Sequence, residues 1–153
     1  MPALVHLVYT SIAAREFSKE DHTELLKKSR AANELLGVTG MLLFSEGNFF
    51  QVLEGEPEVV DALYTKISRD PRHTMSATIV REAIPKRFFG DWSMGFSDVT
   101  ETELAEVVGL NDFFHGRSCL AELDAGRAKK LLEAFAHGRW RARLTPAPRG
   151  TAA

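Results

Sequence analysis

The period of apolar positions changes several times along the chain, and each change marks an element. Leu4 to Thr10 is apolar and partly β-branched, which predicts a strand. Ser18 then offers an N-cap, and Glu20 and Asp21 fall in the following turn, where the helix dipole favours acids. The helix places Leu25, Leu26, Ser29, Ala32, Asn33 and Leu36 on one broad stripe, and Gly37 suits its C-terminus. Met41 to Ser45 reads as a second strand, Glu46-Gly47-Asn48 as a turn, and Phe49 to Glu54 as the returning third strand. Pro57 fits the first position of a second helix, whose Val59, Val60, Leu63 and Ile67 recur at helical spacing until Asp70-Pro71 stops it. Ser76 to Ile84 and Trp92 to Phe96 complete five strands.

The order β-α-β-β-α-β-β predicts an α+β, ferredoxin-like fold. An antiparallel or mixed sheet carries both helices on one face. The bare second face then needs a cover. Two helices can supply it, one from about Thr102 to Val108 and one from Asp124 to about Trp140, the latter with Ala128, Leu131, Leu132 and Phe135 in a stripe. From Leu144 the run Thr-Pro-Ala-Pro-Arg-Gly-Thr-Ala-Ala predicts a disordered tail. No internal repeat is visible.

Composition narrows the class. A chain of 153 residues fits one domain, and 44% hydrophobic with 26% charged residues is ordinary for a packed core. A net charge of −2 gives no general pull toward nucleic acid or an anionic membrane. No apolar run reaches the roughly 20 residues of a membrane span, and no signal peptide opens the chain. The single Cys119 excludes an internal disulfide and fits a reducing, cytoplasmic setting. The five histidines form no metal-ligand pattern.

Several polar residues sit where a plain core would be apolar. Strand alternation groups Val5, Leu7 and Tyr9 on one face, and Phe49, Gln51 and Leu53 on one face of the third strand. Trp92, Met94 and Phe96 group in the same way, and Asn33 lies on the inner stripe of the first helix. A buried Gln needs partners for two donors and an acceptor, and leaving them unmet costs about 1–3 kcal/mol. A flat heterocycle with carbonyls and ring nitrogens would meet that need if Tyr9, Asn33, Gln51, Trp92 and Met94 converged. Each residue also has a plain structural reading. Tyr9 can be core with a wet hydroxyl, Asn33 can stabilise a helix end, Gln51 can lie at an exposed edge, and Trp92 and Met94 can fill space.

Six fragments in register reach further: Val8-Tyr9-Thr10-Ser11, Ser29-Arg30-Ala31-Ala32-Asn33, Gly37 to Phe44, Phe50-Gln51-Val52-Leu53-Glu54-Gly55, Asp70-Pro71-Arg72-His73 and Trp92-Ser93-Met94-Gly95-Phe96. In order, interval and residue type they resemble the successive motifs of BLUF domains over about Leu4 to Asp98. The resemblance implies a blue-light photoreceptor that is not an enzyme. It implies a non-covalent flavin between the two helices, FAD by preference with FMN or riboflavin as alternatives. Position by position, Tyr9 and Gln51 become the photoactive pair, and Asn33 a contact to the flavin ring. Trp92 and Met94 become signalling residues. Ser11, Leu25, Ser29, Arg30, Lys66, Arg72, His73 and Met94 join Tyr9, Asn33 and Gln51 as cofactor-binding candidates. Many relatives carry two adjacent asparagines, and here the first of the two positions is Ala32. The implied organisation is a sensor over residues 1–98, a helical extension over 99–143 and a tail over 144–153. No effector domain follows, so the resemblance is to short members that signal through a downstream protein, here unidentified, or through a homo-oligomer.

Two other functions share this topology. An acylphosphatase-like hydrolase would use Arg15 after the first strand, but Ser11-Ile12-Ala13-Ala14-Arg15 lacks the glycines that let backbone amides cradle an anion. An RNA-binding module would need exposed aromatics among basic residues, whereas these strands are mostly aliphatic.

Overall fold

The computed structural model describes residues 3–14, 19–45, 47–71, 73–90, 95–98 and 124–136. Ser18, Arg72, Trp92, Met94, the Thr102–Val108 helix, Cys119 and the tail lie outside them. The elements are β1 (Val5–Ala13), α1 (Lys19–Leu36), β2 (Thr39–Ser45), β3 (Asn48–Gly55), α2 (Pro57–Ser68), β4 (His73–Ala83), β5 (Gly95–Asp98) and α3 (Ala125–Ala136).

The strands form one sheet in the order β4-β1-β3-β2-β5. Each neighbouring pair among the first four is antiparallel, and β5 runs parallel to β2, pairing Met41 with Gly95 through Phe44 with Asp98. The sheet is therefore mixed, and the expected ferredoxin-like arrangement is present. β1 lies inside the sheet between β3 and β4, and its register with β4 shifts between Val8 and Tyr9 and between Thr10 and Ile12. Such irregularities bend a strand locally and raise its twist.

Alternation assigns the two faces. Val5, Leu7 and Tyr9 of β1, Leu42 of β2, and Phe49 and Leu53 of β3 pack with Leu26 of α1 and Val60 and Leu63 of α2. Apolar area removed from water on this face holds both helices to the sheet. Two local devices fix the entry to β2. Gly37 takes φ 69°, and the Val38 amide donates to the Asn33 carbonyl at 2.9 Å, ending α1 with a left-handed residue as helices commonly do. Val38 itself is fully buried, supplying the apolar contact that accompanies this ending. Pro57 opens α2, where a missing N–H costs nothing.

The opposite face carries Val8, Met41, Leu43, Phe50 and Val52, all fully buried or nearly so. α3 packs against β4 and ties to this face through Lys129 Nζ, 2.9 Å from Glu82 Oε2, while Glu82 Oε1 lies 3.0 Å from Nε2 of His6. Ala128, Leu131 and Leu132 of α3 are buried, so three of the four residues of the stripe read from sequence face inward, Phe135's side chain lying outside the description. Asp124 caps α3, its Oδ1 accepting from the Arg127 amide at 2.8 Å. No helix among the described residues is long and apolar enough to cross a membrane.

Candidate functional site

Tyr9 and Gln51 are direct cross-strand partners on β1 and β3. Both side chains point to the helix-covered face, because Tyr9 shares parity with Leu7 and Gln51 with Leu53. They are only 3% and 5% exposed, which removes the reading of Gln51 as an exposed-edge residue. The Tyr9 hydroxyl donates to Oε1 of Gln51. Burial pushes the Tyr9 phenol well above its ordinary value, with smaller pushes in the same direction from Tyr64 and Asp70. The group is thus held neutral, as a donor, in a setting where electrostatic contacts are strong. The Tyr64 ring stands 5.0 Å from the Tyr9 ring at 54°, a tilted contact of the kind aromatic pairs prefer.

A cleft of about 410 Å³ opens between α1 and α2. Ala32 and Leu36 form one wall, and Val59, Ala62 and Leu63 the other, with Glu58 and Lys66 bringing charge. Leu63 also belongs to the core cluster that contains Tyr9. Volume and lining fall in the range of small-molecule sites. A flavin needs apolar walls for its ring system and both donors and acceptors for its carbonyls and ring nitrogens. The cleft offers apolar walls, and Asn33, next in sequence to its wall residue Ala32, and Gln51 carry buried amides with donors and acceptors, so the residues present fit the group.

The remaining expected residues distribute as follows. Asn33 is 2% exposed on α1, and its side chain is buried while its carbonyl ends the helix. Ser11 is fully buried on β1, two residues beyond Tyr9 and on the same face. Leu25 packs against the core, Ser29 and Arg30 are half-buried on α1, and burial lowers the Arg30 pKa from its usual value. Lys66 is exposed at the cleft. His73 opens β4. The structure thus brings together Tyr9 and Gln51, buries Asn33 on α1, and leaves Arg72, Trp92 and Met94 outside the described residues. Sequence reasoning missed Tyr64, whose place one helical turn after Val60 marks it only as a residue on the inner face of α2. It also passed over Ala32 as a cleft wall, noting it only where an asparagine is common.

Comparison with known proteins agrees with this geometry. The family model described as sensors of blue-light using FAD matches residues 4–95. Photoactivated adenylate cyclase subunit beta of Euglena longa is 36% identical over 110 residues, 71% of this chain and 13% of that protein. The blue light- and temperature-regulated antirepressor BluF of Escherichia coli is 32% identical over 105 residues, 69% of this chain and 26% of that protein. The chain therefore corresponds to a small part of these curated relatives. Among solved structures, the dark state of BlrB, a BLUF protein, superposes with a TM-score of 0.73 at 31% identity, covering 90% of this chain and 98% of that one. With the family model matching residues 4–95 and a buried tyrosine–glutamine hydrogen bond joining β1 and β3, the chain belongs to the BLUF family, the flavin-binding sensors of blue light.

Proposed function

We propose that Tyr9 and Gln51 form the light-operated hydrogen-bond switch of this sensor, with FAD held non-covalently in the cleft between α1 and α2. The observation that carries the reading is the buried hydrogen bond from the Tyr9 hydroxyl to Gln51 Oε1 across β1 and β3. When bound, the flavin supplies blue-light absorption and an excited state that is a strong oxidant. Tyr9 is the oxidisable group of the pair. A phenol that loses an electron becomes strongly acidic, and Gln51 Oε1 is the acceptor already aligned with its proton. When the electron returns, the proton returns to Tyr9 Oη.

Gln51 is the element that can be left changed. Its amide has an acceptor end and a donor end, so turning it, or moving a proton within it, reverses which end meets Tyr9. The new pattern persists because the pair is buried and exchanges slowly with water, and it reverts in darkness. Asn33 and Ser11 offer polar groups to the ring portion, while Arg30, Lys66, Arg72 and His73 offer cations or donors to the polar chain of the cofactor. Ala32 in place of a second asparagine trades one polar contact for an apolar cleft wall.

The signal passes by protein–protein contact, to a partner or between copies of the chain, and the sensor itself catalyses no reaction. The antirepressor of Escherichia coli is support for such an output, and the Euglena cyclases show the sensor coupled to another activity in those proteins. The purified protein should be yellow and should shift its absorption to longer wavelength under blue light, recovering in the dark. A preparation loaded with FAD that shows no reversible shift sinks the proposal.

A further inference from the structure

Glu54 is a carboxyl-bearing side chain with 0% exposure, three residues beyond Gln51 on β3 and on the opposite face of the sheet. A carboxyl group is expensive to bury, and here three donors offset the cost. Thr39 Oγ1 donates to Oε1 at 2.9 Å, and two consecutive amides, of Phe88 and Phe89, donate to Oε2 at 2.6 Å and to Oε1 at 3.0 Å. The backbone that continues from β4 toward β5 is therefore fastened to the end of β3. Phe89 is buried beneath this anchor, and the Phe88 ring stacks on His6 of β1 at 6.0 Å.

Arg87 closes the arrangement from outside. Its Nη1 donates to Thr39 Oγ1 at 2.8 Å and to the Glu54 carbonyl at 3.0 Å, and its Nη2 donates to the Gly37 carbonyl at 2.7 Å. One guanidinium thus joins the end of α1, the start of β2 and the end of β3, each within one short connection of a switch or cleft residue. A planar group with several fixed donors suits such a junction, where a lysine would not.

We infer that Glu54 is a positioning residue of the light switch: with Thr39 and Arg87 it latches the β4–β5 connection to the strand that carries Gln51. The latch opposes displacement of β3 relative to β5 and so favours the dark arrangement. The two sites are separated by about 10 Å of extended strand, short enough for a paired strand to move as a unit. The inference rests on the Tyr9–Gln51 reading.

The test uses the full chain with FAD, as parent, Glu54→Gln and Thr39→Val. Glutamine keeps the shape of Glu54 but sets an NH2 against a backbone N–H, and valine removes the Thr39 hydroxyl without changing its bulk. Three quantities are read: the light-induced shift, its dark recovery rate, and hydrogen exchange at the Phe88 and Phe89 amides. Glu54→Gln should keep flavin and shift, exchange faster at both amides, and recover about fivefold more slowly, the kinetic equivalent of one hydrogen bond. Thr39→Val should move the same way by less. A purely structural role would lower the thermal midpoint and leave recovery as in the parent, and unchanged or faster recovery overturns the latch. If Glu54→Gln does not fold, the recovery of Thr39→Val decides by the same criterion. A parent with no shift overturns the Tyr9–Gln51 reading and the latch with it.

Discussion

A phenol that is 3% exposed and donates to an amide oxygen has little freedom, and its chemistry follows from that confinement. Tyr9→Phe keeps the ring and its packing against Tyr64 and loses only the hydroxyl. The variant should bind flavin and fail to give the reversible red shift, as read from spectra taken before and after illumination. Gln51→Ala should behave alike, because no amide remains to reverse, and a normal photocycle in either variant refutes the switch. The raised Tyr9 pKa gives an independent check. Above pH 10.0, the ordinary tyrosine value, the unfolded chain releases this proton while the folded protein retains it. The contribution to stability is therefore intact below that pH and declines as pH climbs toward the folded value, by at most about 1.4 kcal/mol per pH unit. Denaturant titrations at a series of alkaline pH values should show this decline, and Tyr9→Phe should flatten it. Tyr9, Asn33 and Gln51 were legible in the sequence because each is polar at a position whose neighbours in the period are apolar. Tyr64 and Glu54 were not. The first looks like one more core residue of a helix, and the second becomes meaningful only when residues 88 and 89, distant in sequence, fold back upon it.

Elements were more legible than sites, since periodicity is a property of the chain and convergence is not. The first four strands and the helices α1, α2 and α3 stand where their apolar period placed them, with discrepancies at the ends, while of the expected strand Trp92–Phe96 only Gly95 and Phe96 fall among the described residues, in a strand that runs on to Asp98. β1 runs on to Ala13 because Ser11 and Ile12 pair with Phe49 and Asn48, which the polar Thr10-Ser11 obscured. β4 begins at His73 rather than Ser76 because it follows β1 to Ala13. Gly37 was identifiable as a helix ending, but Gly40 carried no local mark of its role. A Cβ at Gly40 would lie 1.9 Å from the Val52 carbonyl oxygen of the paired strand, a contact that only moving β2 away from β3 can relieve. Gly40→Ala should therefore cost about 3 kcal/mol or more, in the range of severe overpacking. Chemical denaturation measures it, and a loss under 1 kcal/mol would show that the sheet adjusts more readily than its pairing implies. The same variant should weaken flavin binding, because β2 and β3 position Leu42 and Gln51 in register.

At the scale of the whole molecule the sheet has two occupied faces with different duties. One face holds the helices and the cleft, and the other is sealed in part by α3, whose Leu131 is 0% exposed over a layer that includes Met41, Leu43, Phe50 and Val52. Leu131→Ala should destabilise the fold by about 2–5 kcal/mol, the usual cost of emptying such a position. Removing the chain after Asp98 should leave a poorly soluble protein, since it uncovers an apolar sheet face. The sequence showed that something must cover this face, yet not how the cover connects to the sensor, because Lys129, Glu82 and His6 are far apart along the chain. In the fold they form a continuous run, Lys129 to Glu82 to Nε2 of His6, from α3 through β4 to β1, three residues from Tyr9. On the other side, β5 pairs in parallel with β2 and leads into the C-terminal segment. A change at Gln51 would have two paths through paired elements, one through β2 to β5 and one through β1 and β4 to α3. Hydrogen exchange in darkness and under continuous blue light distinguishes them. Faster exchange in β5 with α3 unchanged would place the output at the fifth strand, while coupled changes in β5 and α3 would make the cover the moving part. Lys129→Met, which cuts the tie to Glu82 and leaves the apolar stripe of α3 intact, should enlarge the light-induced change in α3. Exchange that light alters in neither β5 nor α3, in a protein whose absorption still shifts, would rule out both paths.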